Sequence, residues 1–351
     1  MSNENNNLSL YGWSDNLFRQ KQISQFKDMS HGRIIVTHKT CYEVVAEDGV
    51  YLCELTGNMI YGRMPDEYPC TGDWVIFQPF DANKGIIVDT LPRERALYRK
   101  KNGTVADRQA VDKAFIVQSL DDNFNVRRAE RFIAQIMEEN IKPVLVLNKA
   151  DLGCDRQKID EAIKHIARQF PVFITSICQP QTILRLRESI TKGETVVFVG
   201  SSGVGKSSLV NTLCGKSVLN TSDISLSTGK GRHTSTRREM VLVDGSGVLI
   251  DTPGVREFGL AIDNPDSLAE MFEISDYAES CRFSDCKHID EPGCAVLEAV
   301  HNGTLDHKVY ESYLKLKREA WHFSASEHEK RKKEKSFTKL VEEVKKRKAN
   351  F

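Results

Sequence analysis

The run Phe198-Val-Gly-Ser-Ser-Gly-Val-Gly-Lys-Ser-Ser208 leaves this chain few folds to choose from. It contains GxxxxGK[ST] from Gly200 to Ser207, after the apolar stretch Thr195–Val199 and before the helix-forming stretch Ser207–Gly215. A strand, a glycine-rich loop and a helix in that order make a phosphate cradle. Gly200, Gly203 and Gly205 let the backbone wrap closely, and Ser201, Ser202, Val204 and Ser208 complete the loop. Successive N–H groups and the positive end of the helix then face the anion. Lys206 is placed to reach β- and γ-phosphates and Ser207 to bind Mg²⁺.

Such a loop needs a parallel sheet, and the sequence around it supplies one. Strand-like runs at Lys113–Gln118, Pro143–Leu147, Pro171–Ile174 and Thr195–Val199 alternate with helix-like runs at Val126–Glu139, Gln157–Arg168 and Thr182–Ile190. That βα alternation is the pattern of a parallel sheet covered by helices on both faces. Glu239–Val243 and Val248–Asp251 flank Asp244-Gly245-Ser246-Gly247, a hairpin signal that adds one antiparallel strand. The expectation is a six-stranded α/β domain.

Three further segments choose the nucleotide. Asn148-Lys149-Ala150-Asp151 is NKxD at the end of a buried strand. A carboxylate at Asp151 can accept from both N1–H and the 2-amino group of guanine, a donor pair that adenine lacks. Asn148 can bridge to the phosphate loop, and the Lys149 stem can cover the base. Thr175 and Ser176, ending the next strand, fit an auxiliary base-contacting loop. Asp251-Thr-Pro-Gly254 is DxxG: Asp251 faces the Mg²⁺ shell and Gly254 N–H the γ-phosphate. Between loop and DxxG lies the polar stretch Ser222–Arg238, where Thr234 or Thr236 is the expected hydroxyl ligand for Mg²⁺. In ordinary GTPases NKxD comes last; here it precedes the phosphate loop, so the same sheet requires a cyclically permuted chain. DxxG then runs directly into the C-terminal region, which is expected to receive the nucleotide state.

Upstream, Arg33–Val36, Cys41–Ala46, Val50–Leu55, Asp73–Phe77 and Gly85–Val88 are short β-type segments separated by turn signals. Five in about sixty residues suit an oligonucleotide-binding (OB) barrel. The polar start SNENNN suggests disorder, followed by a short helix within Leu8–Phe26; the basic run YRKKNGTVADR reads as a linker.

Of nine cysteines, six are scattered singly, as in a reducing compartment. The other three form Cys281-x4-Cys286-x-His288-x5-Cys294, a Cys₃His set suited to one structural Zn²⁺ with no open position. The formal charge is zero, with 49 basic and 49 acidic residues, which at first argues against a nucleic-acid partner. The average conceals a tail: Lys330–Asn350 holds ten basic residues against Glu334, Glu342 and Glu343, a net of +7. No apolar run approaches the roughly 18 residues of a membrane span, and no targeting segment is evident.

The order NKAD, GSSGVGKS, GRHTST, DTPGVREFGL and C-x4-C-x-H-x5-C, behind an OB-like barrel, resembles the ribosome small-subunit-dependent, circularly permuted GTPases (RsgA/YjeQ) over nearly the whole chain. The resemblance implies GTP hydrolysis stimulated by the small ribosomal subunit, a role in its maturation, and contacts to ribosomal RNA. Val255 stands where many GTPases carry a water-orienting Gln; His233 in GRHTST is the candidate replacement, and the resemblance supports it. The expected division is an N-terminal extension at 1–30, a barrel at 31–97, a linker at 98–108, a permuted GTPase domain at 109–262 and a zinc-binding helical domain with the basic tail at 263–351. The expected protein is a cytoplasmic monomer that binds GTP and GDP, with no membrane partner. The competing reading is an RNA-binding scaffold in which GTP only sets affinity.

Overall fold

The computed structural model describes residues 7–64, 67–93, 95–101, 104–153, 155–215, 238–243, 245–250 and 265–324. Two compact units emerge, Met1–Gly259 and Leu260–Phe351.

In the first unit the described chain begins at Asn7. A single 3-10 turn, Leu8–Tyr11, leads to α1 (Asp15–Ile23), capped by the Ser14 hydroxyl at Leu17 N. Leu8 joins Val45, Trp74, Ile76 and Leu91 in a small apolar cluster, and Trp13 lies 4.9 Å from Trp74, ring to ring. The extension is thereby fastened to the outside of the barrel.

The barrel is built from β1 (Ser30–Thr37), β2 (Tyr42–Ala46), β3 (Gly49–Leu55), β4 (Trp74–Phe80) and β5 (Lys84–Thr90), with helix α2 (Gly57–Gly62) between β3 and β4. The expected five segments are all present. Strands pair in the closed order β1-β2-β3-β5-β4-β1, with β3 and β5 parallel. Alternate residues point inward, so Tyr42, Val44 and Ala46 of β2 meet Cys53, Phe77 and Ile87 in one core. Gly85 has to be glycine here: a Cβ would sit 2.8 Å from both Cys53 Sγ and Phe77 Cδ2.

The segment at 98–108, expected as an irregular linker, lies in an antiparallel hairpin of β6 (Leu97–Lys101) and β7 (Thr104–Gln109). Between the two strands the sequence reads Asn102-Gly103, a strong hairpin signal that outweighs the polar composition.

Then comes the α/β layer: β8 (Lys113–Ser119), α3 (Val126–Glu138), β9 (Lys142–Asn148), α4 (Arg156–Ala162), α5 (Lys164–Gln169), β10 (Val172–Ile174), α6 (Pro180–Glu188), β11 (Thr195–Val199), α7 (Lys206–Cys214), β12 (Arg238–Leu242) and β13 (Val248–Ile250). The six strands run β10-β9-β8-β11-β13-β12, and β12 alone is antiparallel. Helix α3 forms because Asn125 caps Arg128 N at 3.1 Å and Ala129, Phe132, Ile133 and Ile136 fall on one buried face. The single helix expected at Gln157–Arg168 is broken at Ile163, whose ψ of 5° leaves the helical region. Ile159, Ile163 and Ile166, spaced as one helical face, are all buried, and His165 beyond the break meets buried Glu130 at 2.8 Å.

Barrel and α/β layer are not separate. Strand β1 pairs with β12 at Val36↔Glu239 and Thr37↔Arg238, which makes one continuous eleven-stranded sheet.

The second unit is helical: α8 (Pro265–Met271), α9 (Ser275–Ala278), α10 (Ala295–His301) and α11 (His307–Ser324). Phe272 and Tyr313 meet edge to face, with centroids 6.2 Å apart, where α8 and α11 pack. Among the described residues no helix is long and apolar enough to cross a membrane.

Candidate functional site

Parallel strands bring their carboxyl ends to one edge of the sheet, which is where ligands bind in open α/β folds. Here β8, β9, β10 and β11 deliver Ser119, Asn148, Thr175 and Gly200 to that edge. The phosphate loop leaves β11 at Gly200, which has φ 145° and lies so close to β8 that a Cβ would stand 2.3 Å from Val117 O. Val204 is buried in the core and anchors the loop from below, whereas Ser202 and Gly203 are exposed at its crest. Ser201, Ser207 and Ser208 are half-buried around it. Lys206 opens α7 and curls back, its Nζ donating to Gly200 O at 2.7 Å and Ser201 O at 2.6 Å. These two carbonyls hold the ammonium over the loop.

The NKAD segment is bonded directly to this loop. Asn148, buried, donates from Nδ2 to Val204 O at 2.9 Å and accepts at Oδ1 from Thr175 Oγ1 at 3.1 Å. The fit is tight: a Cβ on Gly205 (φ 93°) would lie 2.4 Å from Asn148 Nδ2. Gly205→Ala should therefore either break the Asn148 bridge or distort the loop, at a cost of about 1–3 kcal/mol from the stranded amide alone. Thermal unfolding with nucleotide titration measures both.

One residue on, Lys149 takes a left-handed backbone (φ 62°, ψ 38°), a turn that throws successive side chains apart. Asp151 emerges exposed, and Ser176 Oγ donates to its Oδ1 at 2.5 Å. This hydrogen bond holds the Asp151 carboxyl below the usual carboxylate range. Ser176 is fully buried and also receives Cys178 N, so its hydroxyl is oriented from two sides.

One group at this edge was invisible in the sequence pattern. Asp121, two residues past β8, accepts from Lys149 Nζ at 3.0 Å, from Ser119 Oγ at 2.6 Å and from Asn123 N at 3.0 Å. Partial burial pushes the pKa of this carboxyl up, but the three donors outweigh that and hold it below the usual range. The available signal was position: an acid just beyond the carboxyl end of the strand beside NKAD. His233, Thr234, Thr236, Asp251 and Gly254, together with the basic run 330–350, lie outside the described residues.

In the second unit, Cys281, Cys286, His288 and Cys294 converge, with their ligand atoms all within 4.8 Å of one another. Sulfur to sulfur, Cys281 and Cys294 are 3.9 Å apart; His288 Nδ1 is 3.6 Å from Cys281 Sγ and 3.5 Å from Cys294 Sγ. A tetrahedral ion with metal–sulfur bonds of about 2.3 Å has ligand edges near 3.8 Å, so this set could hold a metal ion of zinc size. His288 sits at φ 63° and its carbonyl accepts from Tyr310 OH at 2.5 Å, fastening the turn to α11.

Comparison with known proteins agrees with this geometry. The family model for the RsgA GTPase matches residues 90–261. A second model, 50S ribosome-binding GTPase, matches 195–348. That second match starts at the phosphate-loop strand and leaves out the barrel and NKAD, so it does not choose between ribosomal subunits. The small ribosomal subunit biogenesis GTPase RsgA 1 of Bacteroides thetaiotaomicron is 96% identical over the whole of both chains. The RsgA of Methanosarcina acetivorans is 38% identical, covering 89% of this chain and 85% of its own. Among solved structures, YjeQ from Thermotoga maritima aligns with a TM-score of 0.66 at 28% identity, covering 83% of this chain and 98% of that one. YloQ, a circularly permuted GTPase, shares the fold with a TM-score of 0.67 at 24% identity, over 85% of this chain and 97% of its own. With its permuted sheet, its five-stranded barrel and these full-length relatives, the chain belongs to the RsgA family of GTPases.

Proposed function

We propose that this protein hydrolyses GTP to GDP and phosphate as a maturation factor of the small ribosomal subunit, and that the subunit accelerates the turnover. The observation that carries the nucleotide half is the direct bond from Asn148 to Val204, which ties a guanine-type NKAD turn to a phosphate loop in one sheet. The ribosomal half is supported by the full-length relatives, named small ribosomal subunit biogenesis GTPases.

In this reading the backbone of Gly200–Ser208 cradles the phosphates and Lys206 exchanges its two loop carbonyls for β- and γ-phosphate oxygens. Asp151 accepts the guanine donors, Lys149 covers the base, and Asn148, Thr175 and Ser176 hold both in place. Ser207, Asp251 and one of Thr234 or Thr236 are hard oxygen ligands suited to Mg²⁺. Bound there, Mg²⁺ supplies neutralisation of charge on the β- and γ-oxygens. Gly254 N–H meets the γ-phosphate. His233 orients the attacking water, since Val255 cannot hydrogen-bond to it.

The four ligands Cys281, Cys286, His288 and Cys294 hold one structural Zn²⁺. On this reading the working parts are the barrel at 31–97, the permuted GTPase at 109–262 and the helical zinc-binding domain at 263–351. Barrel and basic tail face ribosomal RNA, and the protein acts as a cytoplasmic monomer.

The test is GTP turnover with and without purified small subunits. The subunits should accelerate it by about a hundredfold or more, the contribution of one positioned general acid or base. His233→Ala should abolish that acceleration and leave GTP affinity near normal. Absence of any stimulation would favour an RNA-binding scaffold controlled by GTP.

A further inference from the structure

We infer that Asp121 is a positioning residue for the nucleotide site, acting through Lys149, whose side chain it holds over the place of the base. The inference rests on the guanine-nucleotide reading above and adds to it a residue that lies outside every GTPase motif in the chain.

Lys149 sits in a turn that is already fixed. Its backbone is pinned on both sides: Asn148 before it is bonded to Val204 and Thr175, and Asp151 after it is bonded to Ser176. Ala150 N donates to Thr175 O at 3.1 Å, and Leu120 N donates to Asn148 O at 2.8 Å, so the loop carrying Asp121 is laced to the same turn. What remains free is the four-carbon stem of Lys149. Freezing an unrestrained lysine on ligand binding can cost up to about a factor of thirty in affinity.

Asp121 removes part of that cost in advance. One of its oxygens is occupied by Ser119 Oγ and Asn123 N, both within two residues of it, and these bonds fix the carboxylate independently of Lys149. The second oxygen is then presented to Lys149 Nζ. The pair is therefore asymmetric, with Asp121 the rigid member and Lys149 the guided one. Both side chains keep some solvent contact, at 22% and 32% exposure, so the gain is that of a partly screened ion pair and not of a buried one.

The experiment measures binding of fluorescent GDP and GTP analogues to the full chain. Asp121→Asn keeps the shape of the side chain and its bond from Asn123 N, and guards against misfolding; Asp121→Ala removes both. Each should weaken GDP and GTP by about three- to tenfold and by the same factor, because Asp121 acts through the lysine over the base, which the two nucleotides share. The loss should appear as faster release and should shrink at 1 M salt, where the ion pair is screened. In a Lys149→Met background, Asp121→Ala should add nothing. Unchanged affinity in both Asp121 variants, or a further loss on top of Lys149→Met, would overturn the inference. Failure of the wild-type chain to bind either analogue would instead strike the guanine reading itself.

Discussion

Asp151→Asn is expected to weaken GTP binding by two orders of magnitude or more and to admit the xanthine nucleotide in its place. On the proposed reading the Asp151 carboxylate, kept ionised by the Ser176 hydroxyl at 2.5 Å, faces two donors of guanine, N1–H and the 2-amino group. Hydrogen bonds to a charged group contribute about 1.5–3 kcal/mol each, so losing both costs a factor of roughly a hundred or more. An asparagine amide does worse than merely losing charge, because one of its ends is itself a donor and meets a donor. Xanthine has a carbonyl where guanine has the 2-amino group, and that carbonyl accepts from the new amide. Ser176 can still donate to the carbonyl of that amide, so the turn should survive the change. Competition binding with GTP, ATP and XTP measures the outcome. A GTP affinity within threefold of wild type would remove Asp151 from base recognition.

That prediction could be framed from the sequence because its ingredients are local in it. The strands of the α/β layer are continuous apolar runs such as Val144–Leu147 and Val196–Val199, buried on both faces, and they register as strands wherever they occur. The phosphate loop and NKAD follow two of those strands at once, so their meeting was implied by a parallel sheet. The barrel strands declared themselves as short β-branched and aromatic segments, such as Val50–Leu55, bounded by turn signals. What stayed hidden was contact between groups far apart in the chain. The β1–β12 pairing joins Val36 to Glu239 through backbone bonds that carry no side-chain signature. Asp121 and Lys149 are 28 positions apart and belong to different loops. The hairpin of Leu97–Lys101 and Thr104–Gln109 was hidden by its charge, although Asn-Gly between the strands is a hairpin signal in the sequence. The break at Ile163 has no Pro or Gly to announce it, and the isoleucines at 159, 163 and 166 keep the spacing of an unbroken helical face.

Cys294→Ser is expected to unfold the described part of the C-terminal unit. Its core is thin: Leu268, Met271, Phe272, Ile274, Val296, Leu305, Tyr313 and Leu316 are its main fully buried apolar side chains, spread over short helices. Units of this size seldom supply more than about 3–5 kcal/mol from a hydrophobic core and rely on a staple. A structural zinc site contributes on the order of 10 kcal/mol or more to folding, so on the proposed reading the staple outweighs the core it fastens. Cys294 is buried and starts α10, and serine nearly preserves its shape while forfeiting the thiolate. The loss therefore reports on ligation and not on packing. By contrast, Tyr310→Phe removes only the bond to His288 O and should cost about 1 kcal/mol. The wild-type chain should carry one zinc by elemental analysis and the Cys294→Ser chain none. Amide exchange across α10 and α11 should rise from protected to nearly unprotected in that variant, and equally in wild type stripped by a chelator. Because thiols and imidazole bind only when deprotonated, acid should release the metal and reproduce the same change. Full exchange protection in metal-free protein would show that the four residues meet for packing alone.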